Sequence, residues 1–273
     1  QLRVLEGHSV TGSDRMGEDQ SVLDTRRRLE AAGIVFFPQD GSGVTTQLDR
    51  VVISTAIEAD IPDLKKARAL GLRVAHRADE LAAIAAKRRT IAIAGTSGKS
   101  TVTGMIYHIL ETTGRSPSLV TGANLPGPRK HGLLGNAALG SSDLLVIEAD
   151  ESDGTLTRYE PALGVLLNMS KDHKEPGELM SLFSTFKSRC RRLLLNADAP
   201  ELASLSPGAS TFGFADAALK AVDLALDPAR CRFNVRGVEF DVPAPGRHNA
   251  QNSLAAAATC LELEVPLEES AQA

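Results

Sequence analysis

The 273-residue sequence has no run of 18 uninterrupted apolar residues, and its opening residues, QLRVLEGHSV, show no basic segment followed by an apolar one. Neither a membrane span nor a signal peptide is therefore expected, and the default compartment is the cytoplasm. Cysteine is scarce. Cys190, Cys231 and Cys260 form no CxxC pair and no ligand-like spacing, which favours reduced structural thiols over a disulfide or a zinc site. A basic excess is missing as well: 30 Lys and Arg stand against 34 Asp and Glu, a formal charge of −4. That is the wrong sign for the electrostatic footprint of a general nucleic-acid binder. No internal repeat, low-complexity tract or heptad run is found, which leaves out solenoids and coiled coils.

What is present is enough apolar material, 42% of residues, to bury a sizeable core, and a length that favours two domains. HSVTGSD (8–14) reads as a short strand ending at Asp14. A helix stopped at Gly33 and a strand follow in DTRRRLEAAGIVFFPQD, then a strand in LDRVVISTAI, a helix in DLKKARALG, a strand in LRVAHR and a helix in ADELAAIAAKR. Strands and helices alternate with short connections, which predicts a parallel sheet covered on both faces. A basic, polar stretch at Lys87–Arg89 marks a boundary, giving expected domains 1–88 and 89–273. The second repeats the pattern, with buried strands in SDLLVIEAD, ALGVLLNMS and RLLLNAD and a helix in ELMSLFSTFKSR. The chain begins without Met inside an expected helix and stops soon after another, so it is expected to be part of a longer protein.

The strongest local signal is IAIAGTSGKSTVTGMIYHIL (91–110), a β-branched strand, a Gly-rich turn and an apolar helix. The turn fits the short form GxxGK[ST] of the phosphate loop, since Ile93 stands where the longer pattern has Gly. Gly95 and Gly98 let the backbone turn so that N–H groups face phosphate oxygens at a helix start. Lys99 is expected at the β and γ phosphates, and the Ser100 hydroxyl is expected on Mg2+. LLVIEADESDGT supplies a carboxylate, Glu148, at the end of a buried strand, with Asp150, Glu151 and Asp153 in the same turn. Carboxylates packed at a strand end call for a cation, although such a cluster can also be a solvated acidic loop. Asp172 and His173 follow another strand, where an imidazole can ligate a second metal or position a substrate carboxylate. In PAPGRHNAQNSLAAAA, His248, Asn249 and Asn252 can address a base edge or merely cap the helix.

GTSGKST (95–101), EADESD (148–153), NMSKDH (168–173) and GRHNAQN (246–252), in this order and spacing, resemble the Mur ligase family, the ATP-dependent amide-forming enzymes of peptidoglycan precursor synthesis. The resemblance covers the whole chain. It implies an α/β architecture: a Rossmann-like N-terminal domain for a UDP-sugar, then a P-loop-type central ATPase domain with a mostly parallel sheet. It also implies that Gly95, Thr96, Ser97, Gly98, Lys99, Ser100 and Thr101 bind ATP, that Ser100 and Glu148 hold Mg2+, and that His173 serves a second metal. His248, Asn249 and Asn252 would line the adenine side; Asp14 with Ser54, Thr55, Ala56 and Ile57 would belong to the UDP-sugar site.

VTGSD (10–14), HRADEL (76–81) and above all EADESD look most like the branch that joins L-alanine to UDP-N-acetylmuramate. Small-molecule substrates are thus implied, without nucleic acid or membrane. Departures are Ser97 where that branch usually has His, and Ser100, which keeps the hydroxyl of the usual Thr. The carbamylated lysine of other branches has no equivalent: its site falls near Phe183, and Lys187 is not assigned to it. The family's third domain, which normally receives the amino acid, is not represented. Two alternatives stay open: the branch that recycles a whole tripeptide, expected to carry Tyr in place of Ser152, and a nucleotide-binding regulatory module without ligase activity. A motor-type NTPase is disfavoured because no arginine finger is identified.

Overall fold

The computed structural model describes residues 1–15, 22–55, 57–151, 155–170 and 175–273. The chain forms two compact units, residues 1–84 with 123–139, and 85–122 with 140–273. The expected division at 88 has one crossing of the chain, whereas the packing also draws 123–139 into the first unit. There the Leu125 N–H bonds the Gly135 carbonyl at 2.9 Å, and Ala137 and Ala138 are buried.

The first unit contains α1 (Leu2–Leu5), β1 (Thr11–Ser13), α2 (Leu23–Ala31), β2 (Val35–Phe37), β3 (Arg50–Ile53), α3 (Pro62–Ala69), β4 (Arg73–His76) and α4 (Arg77–Ala85), with α6 (Pro126–Lys130) and β7 (Ala137–Ala138) from the later segment. Strands β1 and β2 pair in parallel, as do β3 and β4, each pair joined through a helix as the alternating pattern requires. Gly33, at φ +97, ends α2 in a conformation that costs any other residue a Cβ clash. Asp63, buried at the start of α3, accepts the Gly41 N–H at 2.6 Å and the Ser13 hydroxyl, tying the end of β1 to the loop after β2. Glu80 on α4 accepts from Arg3 at 3.1 Å and from Arg50. Burial alone would raise its pKa, but the two guanidinium bonds outweigh that and hold it below the usual glutamate range.

The second unit is built on β5 (Arg89–Ala94), α5 (Lys99–Thr112), β6 (Ser118–Val120), β8 (Leu144–Glu148), β9 (Leu163–Leu166), α7 (Pro176–Arg189), β10 (Leu193–Asn196), β11 (Ser210–Gly213), β12 (Leu219–Leu226), β13 (Cys231–Val235), β14 (Val238–Val242), α8 (Arg247–Glu262) and α9 (Leu267–Gln272). Its strands pair in the order β14-β13-β12-β11-β10-β9-β5-β8-β6. From β6 to β12 the pairs are parallel, and only β12-β13-β14 is antiparallel. Ile91 to Ala94 and Leu145 to Ile147 have no exposed surface, as parallel strands covered on both faces should. Strand β5 lies between β8 and β9, so the connection from β8 to β9 passes over it. That is the crevice where open parallel sheets hold ligands, beyond the carboxyl ends of the strands. The Ala-rich α8, buried along Ala255 to Ala258, packs closely on α5. Among the described residues no helix is long and apolar enough to cross a membrane.

Candidate active site

The phosphate loop sits where the strand register puts it. Ile93 pairs with Glu148 and Val165, and Ala94 with Leu166, so the loops after β5, β8 and β9 leave the sheet side by side. Ile93 is fully buried inside β5, which accounts for the short form of the motif. Gly95 (φ +137) and Gly98 (φ +83) both require glycine-type backbone, and a Cβ on Gly95 would meet Leu167 and the Asn168 backbone at 3.1–3.2 Å. Gly98 is the N-cap of α5 and brings no side-chain cap, leaving the N–H groups of the first turn for an incoming anion.

Asn168, which follows β9, fixes the loop. Its Oδ1 accepts the Ser97 N–H and the Thr96 hydroxyl, each at 2.9 Å, and its Nδ2 donates to the Ser97 carbonyl at 3.0 Å. Thr96 is further held by the Ser170 N–H at 2.9 Å. Thr96 thus anchors the loop through its side chain, while Ser97 and Thr101 are exposed.

Ser100 and Glu148 meet as expected: the Ser100 hydroxyl donates to Glu148 Oε2 at 3.1 Å. Glu148 Oε1 accepts the Gly122 N–H at 3.1 Å and the Thr121 hydroxyl, both beyond the end of β6. Two ligands on adjacent corners of a Mg2+ octahedron with bonds of about 2.1 Å stand about 3.0 Å apart, so this hydroxyl and carboxylate fit that ion. Among the described residues no group of three or more His, Cys, Asp or Glu could hold a metal.

Lys99 turns back into the loop, donating to the Gly95 carbonyl at 2.7 Å and to Glu151 at 2.8 and 3.0 Å. The acidic turn is therefore divided: Glu148 faces Ser100, the buried Glu151 takes Lys99, and Asp150 is exposed. Asn252, in the first turns of α8, lies over the phosphate loop, its Oδ1 2.6 Å from where a Cβ on Gly98 would be. Asn249 donates to the Pro245 carbonyl at 2.7 Å, the local tie that a helix start provides, and His248 is exposed beside Gly246. In the first unit Asp14 is exposed just beyond β1, and beyond β3 the Ile57 N–H bonds the Ser54 carbonyl at 3.2 Å. Ala56, Ser152, Asp153, Asp172 and His173 lie outside the described residues. Phe183 is fully buried on α7, and Lys187 donates to the Leu205 and Pro207 carbonyls at 2.7 Å, a structural use of its charge. Reading the sequence did not find Asn168, Thr121 or the Lys99–Glu151 pair; each is made across the sheet.

A mostly parallel sheet that opens at its central strand into a glycine-turned loop, a lysine and a helix start defines an α/β protein of the P-loop type. The sequence matches the Mur ligase middle domain over residues 93–260 and the Mur ligase family catalytic domain over 2–89, and the chain belongs to the Mur ligase family. It is 36% identical over 279 residues to UDP-N-acetylmuramate--L-alanine ligase of Synechococcus sp. (strain CC9605), covering 95% of this chain and 57% of that protein. The ligase of the same name from Arthrobacter sp. (strain FB24) is 38% identical over 283 residues, with 97% and 58% covered. The chain thus spans less than three fifths of the length of these relatives.

In fold it is similar to UDP-N-acetylmuramate-alanine ligase from Thermotoga maritima, with a TM-score of 0.82 at 24% identity over 99% of this chain and 63% of that one. The UDP-N-acetylmuramate:L-alanyl-gamma-D-glutamyl-meso-diaminopimelate ligase from Neisseria meningitides gives the same TM-score at 21% identity, over 98% and 90%.

Proposed function

We propose that this chain supplies the nucleotide and UDP-sugar portions of a cytoplasmic, ATP-dependent ligase that joins L-alanine to the lactyl carboxylate of UDP-N-acetylmuramate. What carries the reading is the Ser100–Glu148 contact at the carboxyl ends of β5 and β8, next to Lys99 at the start of α5, in a chain whose curated relatives bear that ligase name. Residues 1–88 would hold the UDP-sugar through Asp14, Ser54, Thr55, Ala56 and Ile57, and 89–273 would hold ATP.

In the reaction a lactyl carboxylate oxygen attacks the γ-phosphorus, the bond to the bridging oxygen breaks, and ADP leaves an acyl phosphate. The amine nitrogen of alanine then attacks the acyl carbon, inorganic phosphate departs and the amine gives up a proton. With Asn168 holding Thr96 and Ser97 in place, the N–H groups of the first turn of α5 are set for the phosphates before they arrive, so little reorganisation is left for the reaction. Lys99 neutralises charge on the transferring group once it is free to reach it. Mg2+, on Ser100 and Glu148, would supply further neutralisation of the phosphate oxygens. His173 would serve a second metal near the substrate carboxylate, and His248, Asn249 and Asn252 would line the adenine side.

The test is phosphate release from ATP with UDP-N-acetylmuramate and, separately, L-alanine, L-serine, glycine or the L-alanyl-γ-D-glutamyl-diaminopimelate tripeptide. It is run on the chain alone and on the chain joined to the C-terminal domain of a relative. Release that needs both the UDP-sugar and L-alanine is expected from the joined protein. Dependence on the tripeptide would move the chain to the recycling branch, and ATP binding without release under any condition would favour a regulatory module.

A further inference from the structure

Lys99 is the side chain on which phosphate binding depends, yet all its donors are directed at protein. It donates to the Gly95 carbonyl at 2.7 Å and to both oxygens of Glu151, at 2.8 and 3.0 Å. The side chains of Lys99 and Glu151 keep 16% and 10% of their exposure, so water and salt screen this pair far less than a surface pair. Glu148, three residues earlier on the same segment, is committed to Ser100, Thr121 and Gly122 and does not share the lysine. One carboxylate of the acidic turn is thus placed on the hydroxyl and another on the lysine, where two carboxylate oxygens occupy the ammonium much as two phosphate oxygens would.

We infer that Glu151 competes with the nucleotide for Lys99: its carboxylate holds the lysine in the nucleotide-free chain and is displaced when a polyphosphate binds. The inference rests on the reading of 95–101 as a nucleotide-phosphate loop. If binding a phosphate must break an ion pair, the pair lowers the affinity by its own coupling free energy, typically five- to 150-fold. A carboxylate that merely satisfies a buried lysine predicts something else, a less stable variant with unchanged affinity. The competing carboxylate gives the enzyme a threshold, because only a ligand that offers Lys99 more than one carboxylate does, such as a di- or triphosphate, opens the site.

The experiment is calorimetric titration of the 273-residue chain with tripolyphosphate in the absence of metal and, in parallel, with MgATP. The proteins are wild type, Glu151→Gln, Glu151→Ala and Lys99→Met, with folding checked by circular dichroism. Alongside, the rate at which an amine-reactive reagent labels Lys99 without nucleotide is followed by peptide mass spectrometry. The metal-free titration decides. Binding of tripolyphosphate about tenfold tighter in whichever Glu151 variants fold, together with Lys99 labelling several-fold faster than in wild type, is expected. Unchanged or weaker tripolyphosphate binding overturns the inference, as does tighter binding with no change in labelling, which would be general charge repulsion. Weaker MgATP binding with unchanged tripolyphosphate binding would assign Glu151 to the metal and overturn it too. If wild type and Lys99→Met bind both ligands equally, or wild type binds neither, the phosphate-loop reading itself fails and takes the inference with it.

Discussion

Replacing Asn168 separates the positioning of the phosphate loop from its chemistry. The amide makes three hydrogen bonds to Thr96 and Ser97, yet Ser97 is exposed, so its backbone groups regain water when the amide is removed. Each lost bond then costs only about 0.5 kcal/mol, at the low end of the usual range, or roughly 1.5 kcal/mol for Asn168→Ala. In a unit of this size that corresponds to a fall in Tm of roughly 3–6 °C. A loop that must be ordered by the ligand passes a similar cost to binding, about a tenfold loss of nucleotide affinity.

Asn168→Asp is nearly isosteric and keeps the acceptor for Ser97 N–H and Thr96. It also sets an oxygen against the Ser97 carbonyl, where the amide nitrogen donated at 3.0 Å, and adds a negative charge next to an anion site. Melting curves should therefore show the two variants alike, while calorimetry with MgATP ranks wild type above Asn168→Ala and Asn168→Ala above Asn168→Asp. An aspartate variant that binds as tightly as the alanine one, or an alanine variant with wild-type affinity, would refute the argument that the amide preorganises the loop.

Ser100→Ala and Glu148→Gln should weaken nucleotide binding about tenfold in Mg2+ and much less in its absence, which a metal titration of nucleotide affinity measures directly. Burial pushes the Cys190 thiol up to about 12, against a smaller opposing effect of a backbone hydrogen bond, so the native chain should leave Cys190 unreacted with a disulfide reagent at pH 8. All three cysteines, Cys190, Cys231 and Cys260, should react once the chain is denatured in urea. Glu80→Gln should lower Tm at pH 7, by an amount that shrinks as the pH falls below the ordinary glutamate range. A carboxylate whose folded pKa lies below its ordinary value stabilises fully above that ordinary value, and the contribution vanishes as pH falls through the folded one. A Tm at pH 7 that is the same for wild type and variant would contradict the Arg3–Glu80–Arg50 bridge.

The parts of this site that could be read from the sequence are those whose cause is local. The apolar run Ile91–Ala94, the glycines at 95 and 98 and the lysine and serine at the helix start lie within ten residues, and each follows from a strand buried on both faces running into a turn that tolerates positive φ. Glu148 was legible for the same reason, as a carboxylate closing an apolar strand. What could not be read depends on strand order. Asn168 reaches Ser97 only because β9 is the neighbour of β5; Thr121 reaches Glu148 only because β6 flanks β8. The partners stand 71 and 27 residues apart, and nothing in either segment names the other. The same holds for Lys99 and Glu151, 52 residues apart: the acidic turn was visible, but which of its carboxylates faces the serine and which the lysine is decided by the register that sets Ile93 opposite Glu148. That register puts the first carboxylate at the strand end beside Ser100 and lets the chain return Glu151 to the lysine three residues later. In this protein the sequence motif therefore specifies the groups that can meet a phosphate, while the order of the strands decides which of them is already occupied when the phosphate arrives.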